Sequence, residues 1–439
     1  MKIGLISLGC DKNRCDSELM LSYLVKGDYE LTNDETEADV IIVNTCAFIE
    51  SAREESINTI LEVAELKKTG HLKKLIVTGC LAQKYVNEIF DDLPEVDAFL
   101  GVKDYPLICD VLADCMNKNK RVNAVNTCDK LPSFQRYLTT PFDYAYLMIA
   151  DGCNNHCTYC TIPQIRGKYR SKSLDDLIAE ASMLAAEDVK EIILIAQDVT
   201  SYGLDLYGKL ELPNLIDKIS DIEGIERIRL LYCYPEKVTD ELIETIKNND
   251  KVVKYIDIPL QHASTPVLKR MGRMGTFEDY VALFNKLKTE IPVIAIRSTV
   301  MVGFPGETEE DFETLLDFIK LVKPVNCGAF MYSDEEDAPS NKLPDKVPEK
   351  IKKARYKKLL KVLSEVSSEE KRKLIGKTLS VVYEDIDYDN NRFIGRSYIS
   401  APEIDSLVYF TSDIPVNFGE TVDVYIEKLE NDDLVGVRK

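Results

Sequence analysis

Residues 2–8 form a short continuous apolar run that reads as a buried strand, and residues 17–25 follow as a helix with Ser17 at its N-cap. Residues 39–44 repeat the apolar pattern. A charged amphipathic stretch over 51–68 predicts a helix, and residues 74–78 predict a third strand with more helix behind it. Strands alternating with helices predict an α/β domain over residues 1–130, built on a doubly wound parallel sheet. Residues 129–141, with two prolines and mixed polarity, read as a linker.

A second alternating series begins at Tyr144. Apolar strands are expected at 144–150, 191–196, 225–231, 255–258, 293–302 and 325–330, with helical patterns between them at 174–187, 239–247 and 309–321. Six such units predict a partial TIM-type (βα)6 barrel. A lysine-rich helix over 349–374 closes this second domain, which spans 140–375. The remaining stretch, 376–439, changes period. Residues 379–384, 392–398, 407–410 and 421–429 alternate as strands between turn residues, which predicts a small antiparallel β-barrel of the oligonucleotide-binding type.

A chain of 439 residues is long enough for these three domains. Its net charge of −20, from 75 acidic and 55 basic residues, disfavours a grip on phosphate and favours a basic macromolecular partner; charge kept only for solubility is the plain alternative. From Gly376 onward 13 acidic residues face 6 basic ones, so direct nucleic-acid binding is not expected of the last barrel. No apolar run reaches the roughly 20 residues of a membrane helix, and the N-terminus reads as a strand rather than a leader. A cytoplasmic protein is expected. Twelve cysteines in a reducing compartment then point to metal binding or catalysis more than to disulfides. With only His71, His156 and His262 as imidazoles, a mixed Cys/His zinc site has little support, while an all-thiolate zinc site stays open.

The densest chemistry is Gly152-Cys153-Asn154-Asn155-His156-Cys157-Thr158-Tyr159-Cys160, directly after the first strand of the second domain. Thiolates at this C-x3-C-x2-C spacing can bind three irons of a 4Fe–4S cube and leave the fourth without a protein ligand. Active sites of such barrels lie at the carboxyl ends of the strands, where this loop falls. Three further cysteines, Cys10, Cys46 and Cys80, each follow a different strand of the first domain. In an open parallel sheet those ends share one edge, so the three thiols are expected to converge on a second 4Fe–4S cluster. Gly9 and Gly79 precede two of them and let the backbone bend close. Cys15, Cys109, Cys115, Cys128, Cys233 and Cys327 lack this placement and read as ordinary thiols, with Cys15 in doubt because it is close to Cys10.

The central motif and its barrel resemble the radical S-adenosylmethionine (SAM) superfamily. The resemblance implies that SAM binds the open iron. It also implies SAM contacts from Gln197, in Ala196-Gln197-Asp198; from His262, which reads equally well as a polar rim residue; from Arg297; and from Gly303, in a segment that also reads as a turn into a helix capped near Thr308. The whole arrangement resembles the methylthiotransferase family: a three-cysteine domain, a radical SAM barrel and a C-terminal TRAM domain. That family spends one SAM as methyl donor and another as source of a 5′-deoxyadenosyl radical, with electrons from a reductant protein such as flavodoxin or ferredoxin. Within it, Ser7-Leu8-Gly9-Cys10-Asp11-Lys12-Asn13, Ile195-Ala196-Gln197-Asp198, Gly395-Arg396-Ser397-Tyr398 and Ala401-Pro402-Glu403-Ile404-Asp405 resemble the branch that modifies an aspartate of ribosomal protein S-twelve. The acidic terminal barrel agrees with a basic ribosomal protein as substrate. The alternatives are the branch that modifies an isopentenylated adenosine in transfer RNA, and a non-catalytic metal-binding protein associated with the ribosome. Asp11 and Cys15 depart from the residues common in relatives, without touching an expected ligand.

Overall fold

A computed structural model of the chain describes residues 1–118, 121–127, 135–141 and 143–439. The first domain is a six-stranded parallel sheet made of β1 (Lys2–Ser7), β2 (Glu30–Leu31), β3 (Val40–Thr45), β4 (Lys74–Gly79), β5 (Ala98–Leu100) and β6 (Val122–Ala124), in the order β2-β1-β3-β4-β5-β6. Helices α1 (Asp11–Lys26), α2 (Glu50–Thr69), α3 (Cys80–Asp92) and α4 (Ile108–Lys118) cover it. The strands β3 and β4 are buried almost throughout, as parallel strands covered on both faces must be. The three expected strands are present; β2, β5 and β6, of two or three residues each, carry too little pattern to be read from sequence.

Helix α1 corrects the sequence reading. It starts at Asp11 with Cys10 as N-cap, and Ser17 lies in its interior, bonded to Ser7 through the two hydroxyls at 3.0 Å. The first turns were missed because Lys12, Asn13, Asp16, Ser17 and Glu18 are polar yet buried, which inverts the amphipathic pattern. The first part of the expected linker, 129–134, lies outside the described residues. Its described part, 135–141, is strapped down: the Arg136 guanidinium meets Glu18 and Glu180, and the Thr139 N–H donates to Glu18.

The second domain holds β7 (Tyr144–Met148), a two-stranded pair β8 (Ala150–Asp151) and β9 (Arg170–Ser171), and then β10 (Glu191–Ile195), β11 (Arg227–Leu230), β12 (Val252–Gln261), β13 (Ala295–Val302) and β14 (Asn326–Met331). The six long strands form one parallel sheet in sequential order, the open six-stranded form of the expected barrel. Ile192, Leu194, Ile228, Leu230, Ile256 and Ile258 face the helical layer in one apolar core. Tyr144, Tyr146, Ile193, Ile195, Leu231 and Tyr255 face the other way and pack against the third domain.

That third domain is a closed barrel of β15 (Thr378–Asp387), β16 (Arg392–Ser397), β17 (Val408–Thr411), β18 (Thr421–Glu430) and β19 (Asp433–Arg438). The last strand is an addition to the sequence reading. It pairs parallel to β17 and antiparallel to β18, which closes the barrel. A buried charge cluster joins the third domain to the second: Arg396 reaches Glu191 at 3.0 Å, and Glu191 also holds Arg229 at 2.6 Å. No helix among the described residues is long and apolar enough to cross a membrane.

Candidate active site

In the first sheet β1, β3 and β4 are neighbours, so Cys10, Cys46 and Cys80 fall side by side at its carboxyl edge. Cys10 caps α1 and Cys80 opens α3, where helix N-termini favour a thiolate. Asn13 ties the strand ends together: its amide donates to Leu8 O at 2.8 Å and to Thr45 O at 2.9 Å. The Asn44 amide donates in turn to Asn13 O and Ser17 Oγ. A methyl group on Gly9 would sit 3.1 Å from Cys46 Sγ, and one on Gly79 would collide with Asn44 and with the backbone of Thr45. Both glycines have positive φ, of 93° and 90°. Burial pushes the Cys80 thiol up to about 12 and raises that of Cys46. Metal binding must therefore displace protons here.

The central trio stands on the loop after β8. The Cys153 N–H donates to Gly167 O at 3.1 Å, and a side chain on Gly152 would strike the backbone at Gly167 and Lys168. Asn155, between Cys153 and Cys157, donates 2.9 Å to Asp198, which also takes Lys237 at 2.7 Å and Ser201 at 2.7 Å. Burial works to raise the Asp198 carboxyl, but Lys237 and these donors outweigh it and hold the group below its ordinary value. The Thr158 N–H donates to Met271 O, and the Ser340 N–H to Thr158 O. The loop is thus fixed from several sides. Burial pushes the Cys160 thiol up to about 12 and raises that of Cys153. All six thiols are free of disulfides. Among the described residues no three His, Cys, Asp or Glu groups gather closely enough to share a single metal ion. Thiolates that bind separate irons of one cluster need not converge on a single point.

Four side chains that the sequence did not single out join the two sites. Arg166, six residues past Cys160, is fully buried. It donates to Asn13 Oδ1 at 3.0 Å and pairs with Asp16 at 2.7 Å and Asp151 at 3.1 Å. The short helix α5 (Ile162–Ile165) packs on α3, so the element after Cys160 lies against the one that begins at Cys80. Tyr232, just past β11, has φ of 61°, a conformation that side chains other than glycine rarely adopt. Its N–H donates to Asp257 at 3.0 Å and its hydroxyl to Asp11 at 2.9 Å. Lys12 lies over its ring, 3.1 Å from the centroid. Burial draws the Lys12 ammonium below its ordinary value, against the pull of Cys10 and Asp11. Two residues on, the Tyr234 hydroxyl is 3.8 Å from Cys157 Sγ.

The residues expected at SAM divide into two kinds. Gln197 and His262 each bury a polar atom, Oε1 and Nε2, that has no hydrogen-bond partner among the described residues. Gln197 Nε2 reaches Asp151 at 3.4 Å; His262 Nδ1 accepts from the Ser264 N–H, and its Nε2 lies 3.6 Å from the Glu307 carboxylate. Arg297 and Gly303 are already engaged. The Arg297 guanidinium meets Asp257 at 3.1 Å and Asp405 of the third domain at 3.2 Å, while the Gly303 N–H donates to Glu307 at 2.7 Å. Thr308 caps the following helix as expected, in a reciprocal capping box with Asp311. Cys15 points away from Cys10: it takes a hydrogen bond from Arg136 at 3.0 Å and packs against Tyr146 of the second domain. Cys109, Cys115 and Cys327 bond to backbone carbonyls of Tyr23, Asp97 and Gly328, Cys233 is buried between Tyr232 and Tyr234, and Cys128 lies outside the described residues.

The model of the Radical SAM superfamily matches residues 147–319, that of the uncharacterized protein family UPF0004 residues 2–101, and that of the TRAM domain residues 375–438. The chain is 48% identical over 438 residues to the ribosomal protein uS12 methylthiotransferase RimO of Lachnoclostridium phytofermentans, covering 99% of both chains. It is 47% identical over 443 residues to the protein of the same name from Acetivibrio thermocellus, covering 99% of this chain and 98% of the relative. Among solved structures, the radical SAM methyltransferase TsrM from Kitasatospora setae superposes with a TM-score of 0.55 at 15% identity, over 75% of this chain and 72% of that one, a likeness of fold. Fold, paired cysteine sites and full-length identity agree: the chain belongs to the RimO family of ribosomal protein uS12 methylthiotransferases, which are radical SAM enzymes.

Proposed function

We propose that this chain adds a methylthio group to the β carbon of an aspartate in ribosomal protein uS12. The observation that carries the reading is the pair of three-thiol sites on the facing edges of two parallel sheets, joined by Arg166. Cys153, Cys157 and Cys160 would hold one 4Fe–4S cluster, and Cys10, Cys46 and Cys80 a second. When bound, the first supplies the electron that cleaves SAM to a 5′-deoxyadenosyl radical, and the second carries the sulfur to be transferred.

The chain's own residues orient and enclose. Asp198 and Lys237 hold the cysteine loop through Asn155. Gln197 and His262 are the residues we assign to SAM, Gln197 through its unbonded buried Oε1 and His262 beside Glu307, while Arg297 and Gly303 stiffen the barrel rim. Arg166 keeps Asp16 and Asp151 neutralised between the sites and helps keep that space free of water. The acidic terminal barrel favours a basic protein over a polyanionic RNA.

The test is to incubate reconstituted enzyme, SAM and a reductant with uS12 or with transfer RNA and to weigh both products. A methylthio gain on uS12 is expected. A gain on the RNA alone would overturn the reading, and bound zinc without SAM cleavage would remove catalysis altogether.

A further inference from the structure

Lys12 is 7% exposed, and among the described residues its ammonium has no hydrogen-bond or ion-pair partner, only the Tyr232 ring beneath it. A buried cation of purely structural use takes a carboxylate in direct contact. The two carboxylates whose charges act on Lys12 are engaged elsewhere: Asp11 accepts the Tyr232 hydroxyl, and Asp257 takes Arg297 and the Tyr232 N–H. The surroundings therefore hold Lys12 in place and leave its ammonium without a direct carboxylate partner among the described residues.

Its position is equally specific. Lys12 is two residues from Cys10 on the first turn of α1. The segment 232–234 carries Lys12 on one ring and, through Tyr234, touches Cys157 Sγ. Lys12 thus stands between the two cysteine sites, on a ring held in a left-handed conformation by two hydrogen bonds.

We propose that Lys12 receives the side-chain carboxylate of the target aspartate. Resting on the activity proposed above, this names the residue that selects the substrate. A carboxylate seated on Lys12 fixes the carbon next to it, the β carbon, between the two sites. The ammonium acts by orienting and by charge, and takes no part in bond making.

The experiment compares wild-type holoenzyme with K12Q and K12R on uS12 carrying Asp or Asn at the target position. Equilibrium binding, kcat and KM are measured, together with iron content and the electron paramagnetic resonance of the clusters. Wild type should prefer Asp by about 10- to 100-fold, the worth of one buried charge-assisted hydrogen bond. K12Q should lose that preference in both binding and kcat/KM, with iron and spectra unchanged, and K12R should recover part of it. If K12Q still prefers Asp as wild type does, or loses iron from the auxiliary site, the assignment to Lys12 is overturned while the proposed activity stands. If wild type leaves uS12 unmodified, both fail.

Discussion

The two cysteine sites reach the same donor set by opposite routes. Cys153, Cys157 and Cys160 lie on one loop, held by backbone hydrogen bonds to 167, 271 and 340 and by the Asn155–Asp198 contact. Cys10, Cys46 and Cys80 come from three neighbouring strand ends and converge because the sheet order places β1, β3 and β4 side by side. A loop motif depends on its local anchors. A site gathered from a sheet edge depends on the whole domain keeping its register, here through Asn13 and Asn44.

Replacing the cysteines should separate the two roles most sharply. Any of Cys153→Ala, Cys157→Ala or Cys160→Ala should abolish formation of 5′-deoxyadenosine. Cys10→Ala, Cys46→Ala or Cys80→Ala should leave SAM cleavage measurable while ending methylthio transfer. In each case iron should fall from about eight to about four per chain. Chromatography of the nucleoside beside mass analysis of uS12 tells the two apart. SAM cleavage lost equally from both sets would mean that the sites do not act separately.

Arg166 probes what lies between them. Arg166→Met leaves Asp16 buried without its cation, and half-buried Asp151 with Arg170 alone, at a cost of about 3–5 kcal/mol in unfolding free energy. The loss should be visible in denaturant titration, with iron lost first from the first domain. This residue also marks where sequence reading ran out. Both trios were expected from apolar strands followed by cysteine, and the third domain from its change of period. Arg166, Tyr232 and Lys12 were not, because each matters through a partner more than a hundred residues away. The start of α1 was hidden for the same reason: its polar residues face inward to serve the second domain and the cysteine site. Nor did sequence show that Arg297 reaches Asp405 across a domain boundary.

Backbone constraint gives a finer comparison. Gly79→Ala and Gly152→Ala put a methyl group into the backbone beside each cysteine site at positive φ, whereas Gly208→Ala, at φ of 73°, meets nothing within 4 Å. The last should cost only the left-handed strain, about 1 kcal/mol, and the first two about 2–3 kcal/mol with partial loss of iron at their own site. Thermal unfolding with iron analysis checks this. Equal costs at all three would show that the close approach at the cysteines is unimportant.

The weakest expected effect concerns the docking of the third domain, whose Asp405 holds Arg297 of the second domain and whose Glu403 pairs with Arg14 on α1 at 2.8 Å. At that interface burial pushes the Glu384 carboxyl up to about 7, with Arg396 opposing and Asp143 adding to the rise. Glu191 is more deeply buried, yet Arg229, Arg396 and Arg227 outweigh burial and keep it well below its ordinary range, so it stays charged. The sign follows from Glu384. Folded chain keeps a proton that unfolded chain loses above its ordinary value of 4.5, so the favourable contribution is complete below that pH. It declines as pH rises and is gone above about 7. Glu384→Gln still accepts from Arg396 but cannot titrate, so it should flatten this slope, a change of about 1–2 kcal/mol across the window. Unfolding measured between about pH 5 and pH 8 decides it. Identical slopes for the two proteins would mean that another group sets the pH response. A flattened slope would place Glu384, at the seam of the second and third domains, in control of how tightly the two dock between about pH 5 and pH 7.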